Sequence, residues 1–266
     1  MSQAQITLTP TESKRLIAKA VAKLPEVQNA LRNGIIIVAV GTTNAFVAEE
    51  LLGRKIEREK FVAGVTLPKG TCVLPPERRI KEIVIRRGKA IDAKMEDVLQ
   101  EMTSGDVFIK GANALDPGWI PGVFLASRTG GTVGKTLGVL LSRGVNLIVP
   151  VGLEKFIPSQ VTDLAKLAGV DKASFSTGVP LGIAPLLGKV ITELEAIRIL
   201  TGAEAAVLGK GGVSGAEGSV TILVRGTTQN LARIKQLLAA VKGERYPPIE
   251  TDCSSCDYKT CRLRKM

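Results

Sequence analysis

Residues 35–40 read Ile-Ile-Ile-Val-Ala-Val, apolar on both faces and mostly β-branched. That is the pattern of a strand covered by helices on both sides. Upstream, Thr9-Pro10-Thr11-Glu12 places a capping threonine, a proline at the first helical position and a glutamate that can reach back to the cap, so a helix is predicted to about residue 23. Asn33-Gly34 turns the chain into the strand. Gly41-Thr42-Thr43-Asn44 follows it, and then a helix through Phe46, Val47, Leu51 and Leu52 that stops at Gly53.

The same order of strand, glycine loop and helix recurs. Residues 81–86 alternate like a less buried strand, and Ile91, Met95, Val98, Leu99 and Met102 fall on one helical face. Residues 107–109 form a strand that runs into Gly111-Ala112-Asn113-Ala114-Leu115-Asp116. A short apolar run at 122–126 precedes the loop 129–135 and a helix to residue 142, and residues 145–149 read as a further buried strand closed by Pro150. Strands alternating with helices predict an α/β fold with a doubly wound, mostly parallel sheet, in which ligands sit outside the carboxyl ends of the strands.

Around residues 174–188 the pattern breaks into Gly, Pro, Ser and Thr, which reads as a linker. After it come a second capping box at Thr192 and Glu195, two apolar strands at 205–208 and 220–224 around a glycine-rich hairpin, and an amphipathic helix carrying Leu231, Ile234, Leu237, Leu238 and Val241. The expected organisation is a ligand-binding domain over 1–190, a small α+β unit over 191–243 and a cysteine-containing tail over 244–266.

At 266 residues and 45% hydrophobic content the chain can bury one sizeable core and a smaller second one. The net charge of +11 points to anionic partners, but the basic residues are scattered and only Lys259, Arg262, Arg264 and Lys265 cluster. Aromatics make up 3% of the chain, too few for the stacking platforms of single-strand readers, so nucleic acid is not the expected partner. The absence of histidine rules out Ser-His-Asp and Cys-His nucleophiles and histidine-ligated metals. No run approaches the roughly 20 apolar residues of a membrane span, and the N-terminus opens with polar Ser2, Gln3 and Gln5. The expectation is a cytoplasmic, reducing location without a membrane, in which the cysteines do not form a disulfide framework. A homo-oligomer is compatible with all of this.

Successive N–H groups in a glycine turn at a helix N-terminus converge on one small volume where the helix dipole adds positive charge. Gly41, Thr42, Thr43 and Asn44 form one such anion-binding candidate, and Gly130, Gly131 and Thr132 with Lys135 form another. The second is a near miss for a nucleotide-binding P-loop: Gly134-Lys135-Thr136 matches its end, but Thr129 stands where the first glycine is required.

Residues 40–51, Val-Gly-Thr-Thr-Asn-Ala-Phe-Val-Ala-Glu-Glu-Leu, resemble the first phosphate loop of the superfamily of ribose-5-phosphate isomerase, glucosamine-6-phosphate deaminase and CoA transferase. Residues 111–116 resemble the Gly-Ala-Asp-Glu-Val-Asp signature of the type A isomerase, with Asn113 at the first aspartate and Asp116 at the last. Gly130-Gly131-Thr132 falls where that family has its glycine-rich loop, and 145–155 resembles its following strand. The resemblance covers about residues 10–160. It implies a Rossmann-like sheet, a phosphorylated or CoA-linked ligand, and ligand contacts from Gly41, Thr42, Thr43, Asn44, Gly111, Asn113, Gly130, Gly131 and Thr132, to which the glycine-turn reading adds Lys135. The glutamate that abstracts the proton in the isomerase has no counterpart, since residues 130–141 contain no acid. Asp116, Lys110 and Glu154, all near strand ends, are the remaining candidates for proton carriers.

The tail carries Cys253, Cys256 and Cys261 at C-x2-C-x4-C spacing, and Cys72 is the remaining cysteine that can complete a thiolate set. This spacing predicts an iron-sulfur cluster, or zinc, at those four residues. The leading expectation is therefore an enzyme of sugar-phosphate isomerase or CoA-transferase type acting on a small anionic ligand. The rivals are a non-enzymatic sensor of a phosphorylated metabolite and an iron-sulfur redox or sulfur-handling protein built on the tail.

Overall fold

The computed structural model describes residues 2–254, 256 and 261. Along the chain lie β1 (Ser2–Leu8), α1 (Pro10–Lys23), α2 (Pro25–Asn33), β2 (Ile35–Val38), α3 (Thr42–Leu52), β3 (Gly64–Leu67) and β4 (Gly70–Val73). They are followed by β5 (Ile83–Arg86), β6 (Lys89–Ile91), α4 (Met95–Leu99), β7 (Val107–Ile109), β8 (Ala114–Leu115), β9 (Pro121–Leu125), α5 (Gly131–Arg143) and β10 (Asn146–Pro150). The last third holds α6 (Val161–Leu167), β11 (Gly182–Pro185), β12 (Lys189–Ile191), α7 (Glu193–Thr201), β13 (Glu204–Gly211), β14 (Ser219–Gly226) and α8 (Thr228–Val241). Among the described residues no helix is long and apolar enough to cross a membrane.

The architecture is α/β. The main sheet has the order β12-β10-β7-β2-β5-β6 and is mixed: the first four strands run parallel, β5 is antiparallel to β2, and β6 turns back antiparallel to β5. Every residue of β2 and β7 is buried, as continuous apolar runs require of strands covered on both faces. Because β2, β7, β10 and β12 are parallel, their carboxyl ends share one edge. Asn44 fastens that edge: its Nδ2 donates to Ala39 O at 2.7 Å and Ile109 O at 3.2 Å, tying the segment after β2 to the end of β7.

A second sheet, β1-β14-β13, takes the first strand of the chain into register with the C-terminal hairpin, from Ser2 opposite Gly226 to Leu8 opposite Val220. The α+β unit read over 191–243 thus includes a strand from the N-terminus, and one continuous core joins Ile6 and Leu8 to Val220, Ile234 and the main sheet. Residues 174–188 are not a linker. They contain β11, which pairs with β9, and Val179 N donates to Thr71 O at 2.7 Å, pinning this segment to β4. Helix formation after residue 91 is shorter than the apolar spacing predicts, since residues 89–91 pair with β5 and only Met95–Leu99 is α-helical.

Behind the sheet edge, a cluster of paired charges anchors α3. Glu49 accepts from Arg58 Nε and Nη2, both at 2.9 Å, and from Arg15 Nη2 at 2.5 Å. Glu244 takes Arg15 Nε and Arg58 Nη1, each at 2.9 Å. The two guanidinium carbons lie 4.6 and 4.1 Å from the Phe46 ring centroid, adding cation–π contacts worth about 0.5–2 kcal/mol each. Burial alone would raise the Glu49 carboxyl, but the hydrogen bonds from Arg58 and Arg15 outweigh it and hold the pKa at about 2.

Candidate functional site

The carboxyl ends of β2, β7 and β10 open on a cavity of about 520 Å³. Three of its walls are loops that the sequence singles out. Gly41, Thr42 and Thr43 come from the start of α3, Lys110, Gly111 and Asn113 from the segment after β7, and Gly130, Gly131, Thr132 and Lys135 from the start of α5. The third loop does not follow a strand of the main sheet, because it leaves β9, which pairs with β8 and β11. The fourth wall is the β3–β4 hairpin with Cys72 and the segment around Val179 and Leu181.

Helices α3 and α5 both begin at glycine and have no side-chain cap, so the amides of their first turns, in residues that line the cavity, have no acceptor from the cap side chain. Gly41 has an extended backbone, whereas Gly130 is left-handed at φ 75°, a conformation that a side chain would strain. Gly134 is fixed by close approach: a Cβ there would lie 2.0 Å from Thr129 O. The Thr43 hydroxyl is buried and has no hydrogen-bond partner. An unpartnered buried donor beside two open helix N-termini is the environment an anionic group satisfies.

Lys110 follows β7 directly, and its backbone N–H donates to Ile148 O at 3.0 Å, so its stem grows from the rigid sheet edge. Burial, and then the ammonium of Lys155, pull its pKa down to about 8, with the Glu82 carboxylate pulling weakly the other way. Lys155 also lines the cavity, and its Nζ donates to Ala112 O at 2.7 Å; burial pushes its pKa below the ordinary lysine value despite Glu154. Arg79 and Glu82 complete the charged lining, with the Thr132 hydroxyl 3.5 Å from Glu82 Oε1. Lys135 reaches the cavity but pairs with Glu96 at 2.7 Å, and the Thr136 hydroxyl donates to its own helix at Thr132 O. The P-loop-like Gly134-Lys135-Thr136 is thereby used for helix packing and a surface ion pair.

Three residues read as site candidates do not line the cavity. Asn44 is the tie described above, with Oδ1 buried against Gly111. Asp116 is fully buried and uses Oδ1 to accept from Ile120 N at 2.9 Å and Oδ2 to accept from Val161 N at 3.0 Å, which caps α6. Glu154 turns toward Lys14 at 3.4 Å and toward Glu193, whose carboxyl is pushed up to about 7 by burial and by the Glu154 charge. The same 3-10 turn, Leu153–Lys155, that turns Glu154 away brings Lys155 into the cavity. Lys155, one position from the acid that the sequence reading chose, is thus a site residue it missed, as are Arg79 and Glu82.

Of the metal candidates, Cys72 lines the cavity, and its Sγ lies 3.7 Å from Gly70 O. Cys261 is buried and forms an isolated parallel bridge with Ser176. Among the described residues no three Cys, Asp or Glu side chains are gathered to hold a metal ion, and four residues between Cys256 and Cys261 lie outside the description. Compared with known proteins, the chain matches no family model, no curated protein and no solved structure.

Proposed function

We propose that the cavity binds a phosphorylated small molecule and that the protein is an enzyme acting on it, in the manner of sugar-phosphate isomerases and CoA transferases. One observation carries this reading: the glycine-started helices α3 and α5 and the unpartnered Thr43 hydroxyl converge on one cavity that also holds Lys110 and Lys155. Its volume of about 520 Å³ falls within the roughly 300–1,000 Å³ of small-molecule sites. A sugar phosphate fits inside whole, whereas a CoA thioester would leave most of its nucleotide outside. The reading of the fold as Rossmann-like and doubly wound is supported by the path of the chain, which leaves β2 for β5 and β6 on one side and returns to β7 on the other. Open α/β sheets bind ligands where strand order changes direction in this way.

The test is a thermal-shift panel of sugar phosphates, CoA compounds and their dephosphorylated counterparts. Stabilisation by phosphate esters, absent with the free sugars, is the expected result; no response to any phosphorylated compound removes the reading.

A second reading concerns the tail. Thr71, next to Cys72, bridges Gly178, and Ser176 bridges Cys261, which favours a cysteine-bound cluster beside the β3–β4 hairpin. Protein purified without oxygen should then absorb near roughly 400 nm and contain iron. Colourless, metal-free protein excludes the cluster, and zinc content separates the alternative metal.

A further inference from the structure

The amines that line the cavity are in very different situations. Lys155 Nζ is tied to Ala112 O, as Lys135 is to Glu96 and Lys14 to Glu154. Lys110 Nζ makes no hydrogen bond or ion pair with any described residue, although it lines the cavity and the Glu82 carboxylate acts on it electrostatically. A lysine kept only to hold an anion works best as a permanent cation. This one stands at the end of a buried strand, partly buried itself and repelled by a second ammonium, which makes its proton easier to remove than that of an ordinary lysine. The charge of a bound phosphate is met elsewhere in the cavity, by the first amides of α3 and α5 and by Thr43.

We propose that Lys110 is a nucleophilic amine that condenses with the carbonyl carbon of a phosphorylated aldehyde or ketone held in this cavity. The inference rests on the phosphate-ester reading above and adds the second functional group of the ligand. The Nζ lone pair forms a bond to the carbonyl carbon, and the π electrons move to oxygen, which takes up a proton. The nitrogen gives up both of its hydrogens as protons, one replacing the proton that the oxygen took up and the other completing the water that leaves with that oxygen, so that an imine remains between Lys110 and the ligand. Glu82, the one acid lining the cavity among the described residues, is placed to carry the protons of addition and dehydration. Lys155 acts through Lys110 and is a positioning residue: its charge adds to burial in lowering the pKa of the neighbouring amine.

Reductive trapping tests this directly. The full-length protein is incubated with glyceraldehyde 3-phosphate or with unphosphorylated glyceraldehyde, reduced with cyanoborohydride, and mapped by peptide mass spectrometry. The expected result is an adduct at Lys110 at least tenfold above that at any other lysine, dependent on the phosphate and suppressed by inorganic phosphate. Lys155→Gln should move the pH midpoint of trapping upward, toward the value of an ordinary lysine, and Lys110→Arg, checked for unchanged melting, should lose the adduct. If sugar phosphates stabilise the protein but adducts scatter over exposed lysines, the amine role is overturned and the anion site stands. If no phosphate ester stabilises the protein, the site and the amine role fall together.

Discussion

The helices of this protein begin in two different ways, and the contrast locates the site. At the start of α1, α7 and α8 the chain closes on itself: Thr9 with Glu12, Thr192 with Glu195 and Thr227 with Asn230 exchange side-chain and backbone hydrogen bonds. At the start of α3 and α5 it does the opposite, placing Gly41 and Gly130 at the cap and leaving the first amides to whatever enters the cavity. Helices α2, α4 and α6 also lack a cap from their own cap residue, but none of them opens on the cavity, and α6 borrows the carboxylate of Asp116. A cap is worth about 1 kcal/mol of stability, and forgoing it at two helices that share one cavity leaves donors there that the proposed phosphate would meet.

The largest expected effect lies behind the open end of α3, where the Glu49 cluster holds the helix in place. Glu49→Gln removes the carboxylate that meets one nitrogen of Arg15 and two of Arg58, and should cost about 3–5 kcal/mol in chemical denaturation, the range for breaking a buried pair. The pH dependence has a definite sign. With a folded pKa of about 2, below the ordinary carboxyl value of 4.5, Glu49 stabilises fully above pH 4.5, and that contribution is lost as the pH falls toward 2. Glu49→Gln should flatten this acid limb.

Next in size is Gly134→Ala. The added methyl group has no room beside Thr129 O, so the turn that opens α5 must shift, at about 1–3 kcal/mol and with weaker ligand binding. The paired substitutions Gly41→Ser and Thr192→Ala break the comparison itself. Gly41 is extended and a Cβ there meets nothing closer than 3.8 Å, so serine fits and supplies the missing cap. It should leave stability equal or a few tenths of a kcal/mol higher while lowering phosphate-ester affinity about tenfold, roughly 1.4 kcal/mol. Thr192→Ala should do the reverse, losing about 1 kcal/mol of stability with affinity unchanged. Calorimetric titration with ribose 5-phosphate beside thermal melting reads both.

Much of this contrast was legible in the sequence. The capping boxes at Thr9 and Thr192 are local patterns, as is the apolar run that becomes β2, and the three glycine loops that meet at the cavity are visible as loops. The hairpin β3–β4 that closes the fourth wall was not legible, because none of its residues is fully buried and its neighbours at residues 177–179 are about a hundred positions away. Strand β1 escaped for the same reason, its partner β14 being at the other end of the chain. The carboxylates misled for a different reason. Asp116 and Glu154 sit near strand ends where a proton carrier would, but an acid in that place can equally accept backbone amides or pair with a lysine, and sequence spacing is the same for both. Lys155 could be told from Glu154 only once the 3-10 turn fixed which of the two faces inward.

The central claim is that the open amides of α3 and α5 hold the phosphate of a small ligand. Amide 1H–15N NMR of the labelled protein titrated with ribose 5-phosphate tests it most directly. The account predicts saturable shifts concentrated at Thr42, Thr43, Gly131 and Thr132, with those at Thr9, Thr192 and Thr227 unmoved. Saturable shifts confined to other surfaces, or no shifts at millimolar ligand, would contradict it.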